Sequence, residues 1–157
     1  MFECVIFVGL PASGKTTFYQ RRFAATHQHV SKDLWPAAAN KDRRQAELIR
    51  HALSNGLSVV VDNTNPSLAD RAPLIAIARD CGARALGYYF TATTREAVGR
   101  NRGREGKARV PDVAIFTRAK RMVRPTLEEG FDALYTVAID PGGEFNVQPV
   151  SVPTAEP

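Results

Sequence analysis

Residues 9–16 read Gly-Leu-Pro-Ala-Ser-Gly-Lys-Thr, with an apolar run, Cys4 to Val8, before them and a helix-period segment, about Lys15 to Ala25, after them. That order restricts what the chain can fold into more than any other feature. A continuous apolar run is what a strand covered on both faces needs. Glycines at 9 and 14 let the backbone turn tightly, so that successive N–H groups point inward as a nest for anionic oxygens. A helix opening at Lys15 adds the positive end of its dipole. The segment satisfies the pattern G-x-x-x-x-G-K-[ST] in full, in the strand-to-helix context the pattern requires. Lys15 is placed to reach the β- and γ-phosphates of a nucleotide, and the Thr16 hydroxyl to ligate Mg²⁺. A glycine turn without chemistry is the alternative, and the flanking strand and helix weigh against it.

The rest of the chain continues the alternation of strand-length apolar runs with helix-period segments, which predicts parallel βαβ units. A short strand near His29 to Ser31 precedes Lys32-Asp33. The segment Asp42 to Asn55 places Ala46, Ile49, Ala52 and Leu53 on one helical face, with Gly56 as its stop. A third strand, Leu57 to Val61, ends in Asp62. Asn65-Pro66 reads as an N-cap and first-turn proline of a helix closed by Gly82, with Pro73 expected to bend it. Ala85 to Phe90, Thr94 to about Arg102, Pro111 to about Met122 and Ala133 to Ile139 complete a strand, two helices and a last strand. The predicted domain covers 1–140. Residues 141–157 read as a largely irregular tail, with a short strand allowed at Phe145 to Val150.

At 157 residues the chain has the size of one compact domain, large enough to need no disulfide or metal staple. Cys4 and Cys81 belong to no CxxC or Cys/His cluster, so a zinc finger or disulfide scaffold is excluded and two reduced thiols are expected. No apolar stretch approaches a membrane span, and the N-terminus lacks the basic region of a signal peptide. A cytoplasmic domain, with no membrane and no obligate protein partner, is the expectation. The 21 Lys and Arg outnumber the 16 Asp and Glu, for a net charge of +5, which favours acidic partners. His27, His29 and His51 share no metal-ligand spacing and read as structural or surface residues.

A phosphate loop alone does not separate a kinase from a GTPase or a motor. Asp62-Asn-Thr-Asn65 lacks the glycine of a DxxG switch, and Asn40-Lys-Asp-Arg43 is not an NKxD guanine reader. The chain is too short for an AAA+ core with its helical lid domain. A small phosphotransferase fits best. In a parallel sheet the carboxyl ends of the strands share one edge, which brings Asp33 and Asp62 beside the phosphate loop. An Asp there can accept the proton of a substrate hydroxyl. For Asp33 the alternative is a helix N-cap. Asp62 reads as a Walker B acid or a substrate-binding carboxylate, with an Asx-turn as the alternative. Between Arg100 and Arg124 the net charge is +7, above that of the whole chain. Gly103 and Gly106 interleave with Arg102, Arg104, Lys107 and Arg109, as in a flexible cationic lid that clamps phosphoryl oxygens when closed.

Taken in order, GLPASGKTTF from Gly9, VSKD ending at Asp33, VVVDNTNPSLADR from Val59, YYFTATTREAVGRNRGRE from Tyr88, VPDV at Val110 and PTLEEGFD from Pro125 resemble the polynucleotide 5′-hydroxyl kinase family. The match looks most like the kinase domain of the animal-type enzymes. The resemblance implies an adenylate-kinase-like α/β/α P-loop fold, its five parallel strands ordered 2-3-1-4-5. It implies ATP and Mg²⁺ as cofactors and the 5′-hydroxyl end of a nucleic acid as acceptor. Gly9, Ala12, Ser13, Gly14, Lys15, Thr16 and Thr17 would hold the ATP phosphates. Asp33 would be the general base, Lys32, Asp62 and Asn63 would line the acceptor site, and Arg104 or Arg102 would contact the transferred phosphate. Lys32 stands where the family has arginine, which removes a bidentate fork. No DxDxT motif is present, so the phosphatase half of the bifunctional enzymes is missing from these residues. Nucleosides, sugars or antibiotics are the alternative acceptors, and a nucleotide-binding module without transfer activity is the other.

Overall fold

The computed structural model describes residues 2–151. Strands β1 (Glu3–Val8), β2 (His27–Val30), β3 (Ser58–Val61), β4 (Arg84–Phe90), β5 (Ala133–Ile139) and β6 (Phe145–Pro149) form one sheet in the order β2-β3-β1-β4-β5-β6. Five helices accompany them: α1 (Lys15–Arg22), α2 (Lys41–Ser54), α3 (Leu68–Asp80), α4 (Thr94–Arg102) and α5 (Asp112–Arg121). The first five strands are mutually parallel, with Val5 opposite Val60 on one side and Leu86 on the other. β1 is central, and its residues from Cys4 to Val8 are completely buried, as a doubly covered strand requires.

The sheet has six strands rather than the five expected, because the chain after β5 turns back instead of leaving. Asp140 organises that turn: its N–H donates to the Glu144 carbonyl at 2.9 Å, and its carboxylate accepts from the Glu144 N–H at 2.9 Å. β6 then pairs antiparallel to β5, Val147 opposite Val137. The prolines of the tail are compatible with this because an edge strand bonds on one side only. Positions 152–157 of the expected tail lie outside the described residues.

Two apolar layers flank the sheet. One places Ile6, Val8, Val59 and Val61 against Ile49 and Leu53 of α2 and Leu74, Ile75 and Ala78 of α3. The other packs Val5, Phe7, Leu86 and Phe90 against Phe18, Tyr19 and Phe23. In that second layer Phe7 and Phe18 lie 5.8 Å apart, and Phe18 and Phe90 meet edge-on at 5.4 Å. α1 ends at Arg22, three residues sooner than the pattern suggests, because Phe23 folds into this aromatic cluster and caps the helix.

α3 starts later than the Asn65-Pro66 reading predicts. Its N-cap is Ser67, whose hydroxyl accepts from the Asp70 N–H while Asp70 accepts from the Ser67 N–H, a reciprocal capping box. Pro73 stays inside the helix on its exposed side, so the lost hydrogen bond falls where water can replace it. In α5 only Ile115 is fully buried, and Phe116 beside it is half exposed. No helix among the described residues is long and apolar enough to cross a membrane. Cys4 and Cys81 are both free, and burial, helped by Cys81, pushes the Cys4 thiol up to about 12.

Candidate active site

The loop between β1 and α1 is held open by its own backbone. Gly14 sits at φ 96° and Ala12 at φ 63°, both in the left-handed region. A Cβ at residue 14 would lie 2.9 Å from Ile139 Cδ1 and 3.2 Å from Phe145 Cε1, so β5 and β6 press against the loop from outside. Asn65 fixes the loop's entry. Its side-chain amide donates to the Phe7 carbonyl at 2.8 Å, and the Gly9 N–H donates to the Thr64 carbonyl at 3.0 Å. This is where the Asn65 side chain goes, which is why it does not cap α3.

Lys15 is folded back along the loop and nearly buried. Its ammonium donates to the Leu10 carbonyl at 2.6 Å and the Gly9 carbonyl at 3.1 Å, with Ser13 Oγ at 3.5 Å. Burial pushes this ammonium down to about 8; Asp62 and Asp33 pull it back up and Arg104 pushes it further down. Below that pH Lys15 is charged, above it neutral. Phosphate binding favours the charged form, so affinity for a nucleoside triphosphate is expected to be full below pH 8 and to fall by about tenfold per unit above it. Calorimetry at pH 9 in buffers of different ionisation enthalpy should show uptake of about one proton on binding. No uptake would mean that Lys15 is already charged in the free protein.

Thr16 and Asp62 meet across the loop, Thr16 Oγ1 donating to Asp62 Oδ2 at 2.9 Å. The same oxygen accepts from His29 Nε2 at 2.8 Å, and the Asp62 side chain is 4% exposed. Asp62 Oδ2 thus takes two donors, Thr16 and His29, rather than closing an Asx-turn. A hydroxyl backed by a carboxylate suits Mg²⁺, which usually keeps several waters and takes its remaining oxygens from phosphates.

Asp33 lies on the 3₁₀ turn Lys32–Leu34, just past β2. Ser31 caps that turn, its hydroxyl accepting from the Asp33 N–H at 3.3 Å. The Asp33 carboxylate is exposed and takes part in no hydrogen bond or ion pair among the described residues. The N-cap alternative thus belongs to Ser31. Asn63 holds the turn in place: its carbonyl accepts from the Lys32 N–H at 3.0 Å and its amide donates to Gln45 of α2 at 2.7 Å. The Lys32 ammonium pairs with Asp42 of α2.

The basic segment after α4 is clamped at both ends by Asn101, which is fully buried. Its amide donates to the Val110 carbonyl at 2.6 Å, and its carbonyl accepts from the Val110 N–H at 3.0 Å. Within this loop Arg104 donates to the Ala108 carbonyl at 3.1 Å. Burial and then Arg100 push its guanidinium below the ordinary value, while Asp33 and Asp62 pull it up. Arg104 therefore shares one electrostatic neighbourhood with Lys15, Asp33 and Asp62. Arg102 instead lines a groove between α4 and α5 with Arg95, Val98 and Phe116. A second groove runs beside the phosphate loop, bordered by Ser13, Glu96, Arg100, Ile139 and Asp140. Ser13 is buried within the loop, while Thr17 is exposed on the first turn of α1.

Three residues have places here that the sequence reading did not assign: His29, read there only as structural or surface, Asn101, and Arg71, which is fully buried and donates to the Asn65 carbonyl at 2.9 Å. His29 has no metal spacing to draw attention to it, and its only signal is its place four residues before Asp33. Asn101 and Arg71 are buried polar residues in helices, which sequence periodicity counts as solvent-facing.

Residues 4–126 match the AAA_33 family model, described as an AAA domain. A bifunctional polynucleotide phosphatase/kinase of Schizosaccharomyces pombe is 29% identical over 133 residues, which cover 82% of this chain and 32% of that protein. The L-seryl-tRNA(Sec) kinase of Methanococcus maripaludis is 27% identical over 143 residues, covering 82% of this chain and 55% of that one. The chain thus spans about a third of the first relative and about half of the second. A solved sugar kinase from Janibacter superposes with a TM-score of 0.66 at 14% identity, over 88% of this chain and 86% of that one. That likeness shows the fold class, a P-loop kinase architecture. With residues 4–126, well over half of its length, matched to that model, the chain belongs to the AAA_33 family of AAA domains.

Proposed function

We propose that this protein transfers the γ-phosphoryl group of ATP to a hydroxyl, and that the hydroxyl is the 5′ end of DNA or RNA. The observation that carries the reading is the Asp33 carboxylate. It is exposed, free of protein partners among the described residues, and close enough to the phosphate loop to act on both Lys15 and Arg104. In this reading Asp33 accepts the proton of the acceptor hydroxyl as that oxygen bonds to the γ-phosphorus and the bond to the β-phosphate oxygen breaks. Lys15 leaves the loop carbonyls for the phosphates, and the N–H groups of Ala12 to Thr17 hold them, since Pro11 has none and that of Gly9 is given to Thr64. The groove beside Ser13 takes the nucleoside, with the Arg100 guanidinium along one side. Thr16, backed by Asp62, would hold Mg²⁺, which supplies neutralisation of the β- and γ-phosphoryl oxygens.

The 29% identity to a polynucleotide phosphatase/kinase supports a nucleic-acid acceptor. The 27% identity to a kinase of a seryl-tRNA supports a second reading, with a hydroxyl on a different acceptor. Transfer from γ-labelled ATP to 5′-hydroxyl DNA and RNA oligonucleotides, with a seryl-tRNA, nucleosides and sugars in parallel, separates these. Label on the oligonucleotides alone supports the proposal, and label on the seryl-tRNA alone or the small molecules alone rejects its acceptor. No transfer to any of them would leave a nucleotide-binding module.

The placement of the two lid arginines leads to a further expected result. Arg104→Ala should lower kcat by about 10²-fold with a smaller change in the KM for ATP, because phosphoryl charge shifts only during transfer. Arg102→Ala should change kcat by no more than about twofold. Steady-state kinetics on the two variants, with ATP and acceptor varied in turn, decide the assignment; equal small effects would mean a diffuse basic surface.

A further inference from the structure

His29 is held more firmly than a surface histidine needs to be. The Tyr19 ring of α1 stacks on it, with centroids 4.1 Å apart and planes 16° from parallel. Tyr19 is in turn tied to β2 through its hydroxyl, which donates to the His27 carbonyl at 2.7 Å. The imidazole therefore has one orientation, with Nε2 aimed at Asp62 Oδ2. A carboxylate only accepts, so Nε2 carries the hydrogen.

Asp62 Oδ2 thus receives two donors, His29 and Thr16, while Oδ1 receives none among the described residues. No buried side-chain oxygen lacks a partner among the described residues, so Oδ1 keeps some contact with solvent. Thr16 spends its hydroxyl hydrogen on Asp62, which leaves the lone pairs of Oγ1 pointing away from the carboxylate. Those lone pairs are what a cation needs. The position of the Thr16 hydroxyl depends on that of Asp62 Oδ2, and Oδ2 is the atom His29 fixes.

We propose that His29 is a positioning residue of the metal–nucleotide site: its Nε2–H fixes Asp62, and Asp62 presents the Thr16 hydroxyl to Mg²⁺. This rests on the reading of residues 9–17 as a nucleotide site and is independent of the acceptor. Outer partners of this kind typically affect metal affinity by about 10–100-fold. Two substitutions separate hydrogen bonding from packing. His29→Phe keeps the ring and the stack on Tyr19 but loses the donor. His29→Gln loses the ring but can place an amide N–H near the position of Nε2.

The test is ADP affinity of the whole chain, by calorimetry, in 5′-ADP with excess Mg²⁺ and again with EDTA. The ratio of the two affinities does not depend on the fraction of folded protein, so a destabilised variant still reports. The expected result is a ratio about tenfold lower in His29→Phe than in the wild type, and within about twofold of wild type in His29→Gln. A wild-type ratio in His29→Phe, or a loss confined to His29→Gln, would make the residue a packing element and overturn the proposal. A wild-type protein that binds ADP equally with and without Mg²⁺ would overturn it too. A protein that binds Mg²⁺-ADP as expected but labels no nucleic acid would reject the acceptor and leave His29 in its role.

Discussion

Asp33→Asn should leave ADP binding and thermal stability unchanged while phosphoryl transfer falls by about 10²–10⁴-fold. The stability half of this follows from how the turn is built. Ser31 caps it through its hydroxyl, the Leu34 N–H donates to the Ser31 carbonyl at 3.1 Å, and the Trp35 N–H donates to the Lys32 carbonyl at 3.1 Å. The Asp33 side chain supports none of these bonds, so an isosteric amide costs the fold nothing. The kinetic half follows from chemistry: an amide can still accept a hydrogen bond from a hydroxyl but cannot take its proton. Single-turnover transfer, ADP titration and a melting curve on the same preparation test both halves. Near-wild-type turnover would move the base elsewhere. A lowered melting temperature would mean that the carboxylate has a structural partner.

What the sequence made legible was local. The phosphate loop could be read because its eight residues carry both the turn and the chemistry, and strand β1 and helix α1 adjoin it directly. Asp33 and Asp62 could be placed because parallel strands deliver their last residues to one edge. Contacts between distant segments were not legible. His29 and Asp62 are 33 residues apart, and nothing in the chain announces that β2 and β3 set them side by side. The DNTNP run reads locally as a helix cap followed by proline. In the structure Asp62 backs the loop threonine, Asn63 pins the turn that carries Asp33, and Asn65 reaches the end of β1. The cap itself falls to Ser67 because the better-placed asparagine is already committed. β6 was the other boundary case: a proline-rich stretch becomes a strand once Asp140 closes the turn and Phe145 finds Phe18, 5.0 Å away.

The same logic marks out the pair whose loss should cost most stability. Arg71 of α3 is fully buried, and its guanidinium meets Glu129 with a fork, Nε to Oε1 at 2.8 Å and Nη2 to Oε2 at 3.2 Å. Its remaining arm donates to the Asn65 carbonyl at 2.9 Å. Glu129 also accepts from the Thr126 N–H at 2.9 Å, which closes the 3₁₀ turn Leu127–Glu129. One ion pair thus ties the segment before β5 to α3 and, through Asn65, to the carbonyl of Phe7 just ahead of the phosphate loop. Glu129→Ala would leave the guanidinium charged, buried and unpaired, at a cost of about 3–5 kcal/mol. At this chain length that corresponds to a fall in Tm on the order of 10 °C. Removing both charges, as Arg71→Met with Glu129→Leu, should cost less than Glu129→Ala alone, because no bare charge remains. Denaturant unfolding of Arg71→Met, Glu129→Leu and the double variant measures the coupling. Nucleotide affinity of the folded fraction should weaken in Glu129→Ala, since the guanidinium that bonds the carbonyl of Asn65, at φ 43°, loses the carboxylate that orients it. Additive costs in the double variant would mean that the two side chains stabilise their own segments separately and that the buried fork transmits nothing to the loop.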